Sequence, residues 1–248
     1  MNLKKYLNLK KGLCPRDPSG GPRKAFALEK PETTSYIKDN CTDRDIWVEK
    51  QKITSKINTF AWRDQGRWKE LLTLFDEQAT ISVSWYSGEI DGFVDASTHM
   101  ASTGKFRTKH LIGLPRISIS GEKALTETDT IIMIRSSFGP LEVDITSSVR
   151  FFDRLLRNTS GDWKILSRVA IYEKDRIDPV SPSVLFWLFN RLARFDKYPH
   201  EFKHLAYGLE RKGWKLAPKV YTSGSYEERQ LKTEALIWLE GNSKASLP

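Results

Sequence analysis

The segment from Lys123 to Lys174 constrains this chain more than any other. "KALTETDTIIMIRSSF", "LEVDITSSVRFFDRLLR" and "DWKILSRVAIYEK" follow one another with only "FGP" and "RNTSGD" as punctuation. Each alternates polar with β-branched or aromatic residues, most plainly in "EVDITSSVRF", and so predicts a strand with one face turned to a core. Connections this short allow hairpins and exclude the long crossovers that parallel neighbours need. An antiparallel sheet is therefore the frame that everything else must fit.

Before this block, "TDRDIWVEKQKITSKINTFAW" repeats Ile46, Ile53, Ile57, Phe60 and Ala61 at helical spacing, with Thr42 or Asp43 placed to cap it. "RDQG" ends that helix and "RWKELLTLF" begins a short second one. "ATISVSWY" predicts a first strand, "VDASTHMAS" a brief helix and "HLIGLPRISIS" a further strand. Helices at the front and strands behind predict an α+β domain, with helices packed on one face of a curved sheet. Residues 1–41, rich in Pro, Gly and Ser, read as a flexible basic arm, and residues 42–180 as the α+β domain. Residues 181–248 read as a helical extension, with "VLFWLFNRLARF", "EFKHLAYGLERKG" and "EERQLKTEALIWLEG". The first of these is apolar on most sides. It must pack on the domain, close the mouth of the sheet or join a second subunit, so a homo-oligomer is expected.

Charge narrows the functional classes. The net charge of +9 sits in the flanks, +5 in residues 1–41 and +4 in 181–248, while 42–180 is neutral. Such flanks predict solvated surface, and with no nucleic-acid motif present no nucleic-acid partner is expected. No apolar run is long enough to span a membrane. Cys14 and Cys41 form neither a metal spacing nor a disulfide framework, which fits a reducing, cytoplasmic setting. No nucleophile elbow, P-loop, dinucleotide fingerprint or zinc spacing occurs, so any chemistry is expected to need no cofactor and no metal. His200 and His204 stand four apart in "HEFKH" without a third ligand, and a solvated helix face is expected there. His99 is expected to be structural.

"FAWRDQGRWKELLTLFDEQATISV", "TKHLIGLPRISISGEKALTET" and "RFFDRLLRNTSGDWKILSRVAIYEKDRIDPV" together resemble the SnoaL-like group of the nuclear-transport-factor-2-like superfamily. The resemblance covers roughly residues 42–180 and implies a cone-shaped α+β fold. It also implies a pair in which Asp64 orients His110, as in the dehydratase- and dehydrochlorinase-like members. Arg63 stands where the dehydratases have a tyrosine, and Arg135, Ser136 and Ser137 occupy the region of their second histidine. Their tyrosine on the first strand has no secure counterpart, though Trp85 and Tyr86 lie near.

A histidine titrates near neutrality, and a carboxylate on one ring nitrogen makes the other a competent base. The implied activity is a dehydratase-like lyase acting on a small hydrophobic or aromatic hydroxylated metabolite. An isomerase or polyketide-type cyclase with the same pair, and a non-catalytic small-molecule-binding protein, are the alternatives. Tyr86, Trp62 and Arg135 are the candidate substrate contacts. Arg135, if inward, would need a carboxylate such as Asp129 or Glu127. Asp64 could instead simply cap the "GRWKELL" helix.

Overall fold

The computed structural model describes residues 43–241. The expected N-terminal arm and both cysteines lie outside the described residues. Helix α1 (Asp43–Thr59) buries Ile53 and Ile57, one helical turn apart. It runs into a 3-10 turn, Phe60–Gln65, which Gly66 ends at φ +68° by donating its N–H to the Arg63 carbonyl. That left-handed conformation suits a residue without Cβ. Helix α2 (Trp68–Leu72) follows, then strands β1 (Phe75–Val83) and β2 (Tyr86–Glu89), then helix α3 (Ile90–Ser102).

Strands β3 (Arg107–Ile112), β4 (Arg116–Ser120), β5 (Lys123–Phe138), β6 (Leu141–Arg157) and β7 (Trp163–Pro179) complete the main sheet. Its order is β2-β1-β7-β6-β5-β3, with β4 also on β5. The three long strands pair as consecutive antiparallel neighbours, as their short turns require. The β6–β7 register shifts at Ser148/Val149 and again at Arg154/Leu155. Such bulges bend strands this long into an open, curved sheet. Within this order one junction departs from the antiparallel expectation: β1 runs parallel to β7, to which it is joined through a long stretch of chain and not through a hairpin.

The expected single strand "HLIGLPRISIS" is divided. Ile112 pairs with Thr130 and Arg116 with Glu127, so four steps on one side oppose three on β5. Gly113 sits in the gap and donates its N–H to the Asp129 carbonyl at 2.9 Å, and Pro115 has no N–H for the ladder. A Cβ at Gly113 would meet that carbonyl oxygen at 2.8 Å. Gly113→Ala is therefore expected to cost about 1–3 kcal/mol, measured as a lowered urea midpoint.

Beyond the sheet come α4 (Val184–Leu192), α5 (Lys203–Arg211), a short strand β8 (Tyr221–Thr222) on β7, and α6 (Tyr226–Leu239). The two sheet faces carry different cores. Phe60, Phe93, Ile134, Phe151 and Leu205 belong to the inner one. Leu125, Phe152, Val169, Ile171, Leu231 and Ala235 form the outer one, beneath α6. Charge fixes α6 to this outer face. Arg150 on β6 pairs with Glu127, Glu173 and Glu228, and the buried Lys232 reaches Glu127 at 2.7 Å and Glu228 at 3.0 Å. Helix α4 anchors only through half-buried Phe186 and Phe189, leaving Val184 and Trp187 exposed. No helix among the described residues is long and apolar enough to cross a membrane.

Candidate active site

The 3-10 turn sets the geometry of the site. Three residues per turn eclipse positions three apart, so Phe60 and Arg63 share the face that lines a cavity against the inner side of the sheet. Asp64 follows directly and reaches β3. There its carboxylate grips His110 twice. The His110 backbone N–H donates to Oδ2 at 2.6 Å, and the ring meets Oδ1 through Nδ1 at 2.7 Å. Asp64 accepts at both oxygens and does not cap α2, whose start has no side-chain cap. With Nδ1 as the donor, Nε2 keeps its lone pair. The ring lies edge-on to Phe60 and nearly parallel to Phe151, both of which line the cavity with it.

The electrostatics agree with a neutral imidazole beside an ionised carboxylate. Burial pushes the His110 pKa below its ordinary 6.5. The bond to Asp64 opposes this, while the positive charges of Arg63 and Arg168 reinforce it. Burial alone would raise the Asp64 pKa, but the His110 hydrogen bonds and the Arg63 charge hold it below the usual carboxylate range. Arg168 is fully buried behind the site. Its guanidinium makes a two-point pair with Asp153 (2.7 and 2.9 Å) and lies over the rings of Phe60 and Phe151 at 4.3 and 4.7 Å.

The cavity is small, about 50 Å³, room for a few waters. Its walls are mainly apolar, and Leu205 and Leu209 of α5 complete them. The closing element expected of the C-terminal extension is thus α5 and not the more apolar α4. The polar groups facing the space are Arg63, Ser84, Thr108, His110 and Tyr172. Burial raises the Tyr172 pKa, keeping its phenol neutral, and the hydroxyl accepts the Ser84 N–H at 3.0 Å.

Three sequence candidates stand outside this space. Arg135 is on the opposite face of β5 from Ile134. It pairs with Asp144 directly across on β6, at 2.8 Å for both bonds, and its side chain is 42% exposed. The expected partners are taken elsewhere, Asp129 by Arg116 and Glu127 by Arg150 and Lys232. Tyr86 donates its hydroxyl to the Glu89 carbonyl and packs against Trp85, and it is Trp85 that lines the cavity. Trp62 turns away and carries the Arg67 guanidinium over its ring at 4.4 Å. Arg63, Ser84 and Tyr172 were not among the expected site residues. The nearest signal was the Arg63 departure from the family pattern.

A second Asp–His pair shows that the geometry alone does not define a site. Asp175 grips His204 in the same two-point way, backbone N–H at 2.7 Å and Nδ1 at 2.8 Å, and also accepts the Leu205 N–H. This pair holds the first turn of α5, and the His204 ring meets Phe195 edge-on at 4.7 Å. His200 lies before α5 begins and His204 is held by Asp175, so the solvated helix face expected for the two does not form. Among the described residues no cluster of three or more His, Cys, Asp or Glu is arranged to hold a metal ion.

The described residues thus form an α+β fold whose open, curved sheet bears an apolar cavity with a carboxylate-bound histidine in its wall. Residues 56–169, just under half of the chain, match the family model of the SnoaL-like domain. No curated protein matches the sequence. Among solved structures, a Novosphingobium aromaticivorans protein provisionally named a scytalone dehydratase is 18% identical, over 57% of this chain and 99% of its own, with a TM-score of 0.47. A type 2 hexachlorocyclohexane dehydrochlorinase is 15% identical over 57% and 95%, also at 0.47. A Mycobacterium tuberculosis protein of unknown function is 13% identical over 73% and 100%, at 0.46.

Proposed function

We propose that this protein is a cofactor-independent, dehydratase-like lyase. It would remove water, or a similar leaving group, from a small hydrophobic or aromatic hydroxylated molecule. One observation carries the reading: the His110 ring, held by Asp64 through Nδ1, lines a small and largely apolar cavity. The SnoaL-like family includes dehydratases, dehydrochlorinases and cyclases, which is compatible with this chemistry.

In the proposed reaction Nε2 takes a proton from the carbon next to the one bearing the hydroxyl. The freed C–H electron pair becomes the C=C bond as the C–O bond breaks. The departing hydroxide recovers that proton from the imidazolium and leaves as water. Asp64 stays ionised throughout and stabilises the imidazolium while it exists. The walls from α5 keep bulk water off the reacting carbon.

The test is incubation of wild type and His110→Ala in D2O with a panel of small hydroxylated ketones and phenols, read by mass spectrometry. Loss of water by wild type alone is expected, and equal turnover by both proteins would end the proposal. Deuterium uptake without loss of water would assign the pair to isomerisation instead.

The pH profile gives a separate prediction. His110 acts as a base only when neutral, and its pKa is depressed by burial. kcat/KM is therefore expected to stay flat as pH falls through 6.5, then to drop tenfold per unit below the shifted pKa. An acid limb centred above 6.5 would place the base elsewhere.

A further inference from the structure

The cavity holds more hydrogen-bonding capacity than a neutral hydrocarbon could use. Arg63 reaches it with a side chain only 11% exposed, and its sole ion pair among the described residues is the long contact to Asp64 Oδ1 at 3.7 Å. The guanidinium makes no hydrogen bond to any described residue and lies instead near the faces of Trp85 (5.9 Å) and Phe93 (5.7 Å). Ser84, 1% exposed and also lining the cavity, has a hydroxyl with no partner at all among the described residues. Tyr172 accepts the Ser84 N–H at 3.0 Å, and its hydroxyl lies beside the Ser84 side chain.

Arg63 and Ser84 thus bring unmatched donors to one cavity, with the Tyr172 hydroxyl beside Ser84. Buried donors left unpaired are costly, and a buried guanidinium more so. A planar carboxylate matches the donor fork of arginine, and a hydroxyl can serve its remaining lone pairs.

We propose that Arg63 and Ser84, assisted by the Tyr172 hydroxyl, form an anion subsite, so that the ligand of this cavity is a small aromatic or alicyclic hydroxy-acid anion rather than a neutral alcohol. The inference rests on the reading that this cavity is the substrate site, and it names the substrate class. The two stand or fall separately, because the subsite is tested by binding and the base by turnover.

The alternative role for Arg63 is to balance the charge of Asp64. That role would leave ligand preference unchanged when Arg63 is replaced, and so the preference is the quantity to read. The cavity is small, so the probe is benzoate, compared with the neutral and nearly isosteric benzamide. Dissociation constants come from ligand-observed NMR near neutral pH on wild type, Arg63→Gln, Ser84→Ala and His110→Ala.

Wild type and His110→Ala are expected to prefer benzoate over benzamide by about tenfold or more, the scale of one charge-assisted hydrogen bond. Arg63→Gln is expected to lose the preference. Ser84→Ala, a smaller change that keeps the fold should Arg63→Gln not do so, is expected to weaken benzoate by about threefold to tenfold. Equal binding of the two probes by wild type overturns the inference, as does absence of benzoate binding at about 10 mM. An unchanged preference in both Arg63→Gln and Ser84→Ala overturns it too. Preference without any turnover would keep the subsite and reject the lyase, whereas His110-dependent turnover without preference would do the reverse.

Discussion

Asp64→Asn is expected to lower kcat/KM by about 10³-fold while leaving the circular dichroism spectrum intact, within the range set by an orienting carboxylate on a catalytic histidine. The loss follows from counting donors. Asp64 accepts two N–H groups of one residue, the His110 backbone and Nδ1. An asparagine amide has one acceptor oxygen and one donor nitrogen. If its oxygen faces the ring, its NH2 points at the backbone N–H. If it faces the backbone, the ring must turn its Nδ1 into an acceptor and present Nε2–H to the cavity, the wrong tautomer for a base. Asp64 also opposes the burial that depresses the His110 pKa, so its loss lowers imidazole basicity further. His110→Ala is expected to be at least as severe, and the double variant no worse than His110→Ala alone, since the two act as a unit. Additive losses in steady-state kinetics would show that Asp64 works independently.

The largest stability effect is expected at Asp153, on the far side of the same wall. Arg168 and Asp153 are both 0% exposed, and Thr126 donates to the same carboxylate. Asp153→Asn leaves the Arg168 charge buried without its countercharge, and its Nη1 already has no partner among the described residues. The cost is expected to be about 3–5 kcal/mol, read as a shifted urea midpoint. Arg168→Met combined with Asp153→Leu removes both charges and is expected to recover most of that loss, because paired buried charges contribute little net stability. A single variant as stable as wild type would mean that water reaches this pair.

Much of this architecture is legible in the chain. Strands β5 to β7 announce themselves by alternation, and their short turns dictate antiparallel order. Asp64 and His110, 46 residues apart, could be related only through the order of family motifs, since periodicity says nothing about which loop end meets which strand. The misplacement of Arg135 has a simple cause. Alternation puts it on the face opposite Ile134, but its partner Asp144 is found only once the β5–β6 register is known. Ser84 and Tyr172 gave no local signal, because their meeting depends on β1 running parallel beside β7. Helix α4 drew attention by its apolar composition, whereas α5 does the closing with Leu205 and Leu209, four apart on one face. Gly208 on the same helix lies close against Ile145, where a Cβ would come within 2.8 Å of that side chain.

Ring-nitrogen NMR of His110 tests the heart of this reading most directly, because it observes the base itself without requiring a substrate. With ¹⁵N-labelled histidine, His110 is expected at neutral pH as a neutral imidazole protonated at Nδ1, with free Nε2 and a titration midpoint below 6.5. A proton resting on Nε2, or a midpoint above 6.5, would contradict the assignment of His110 as the Asp64-held base.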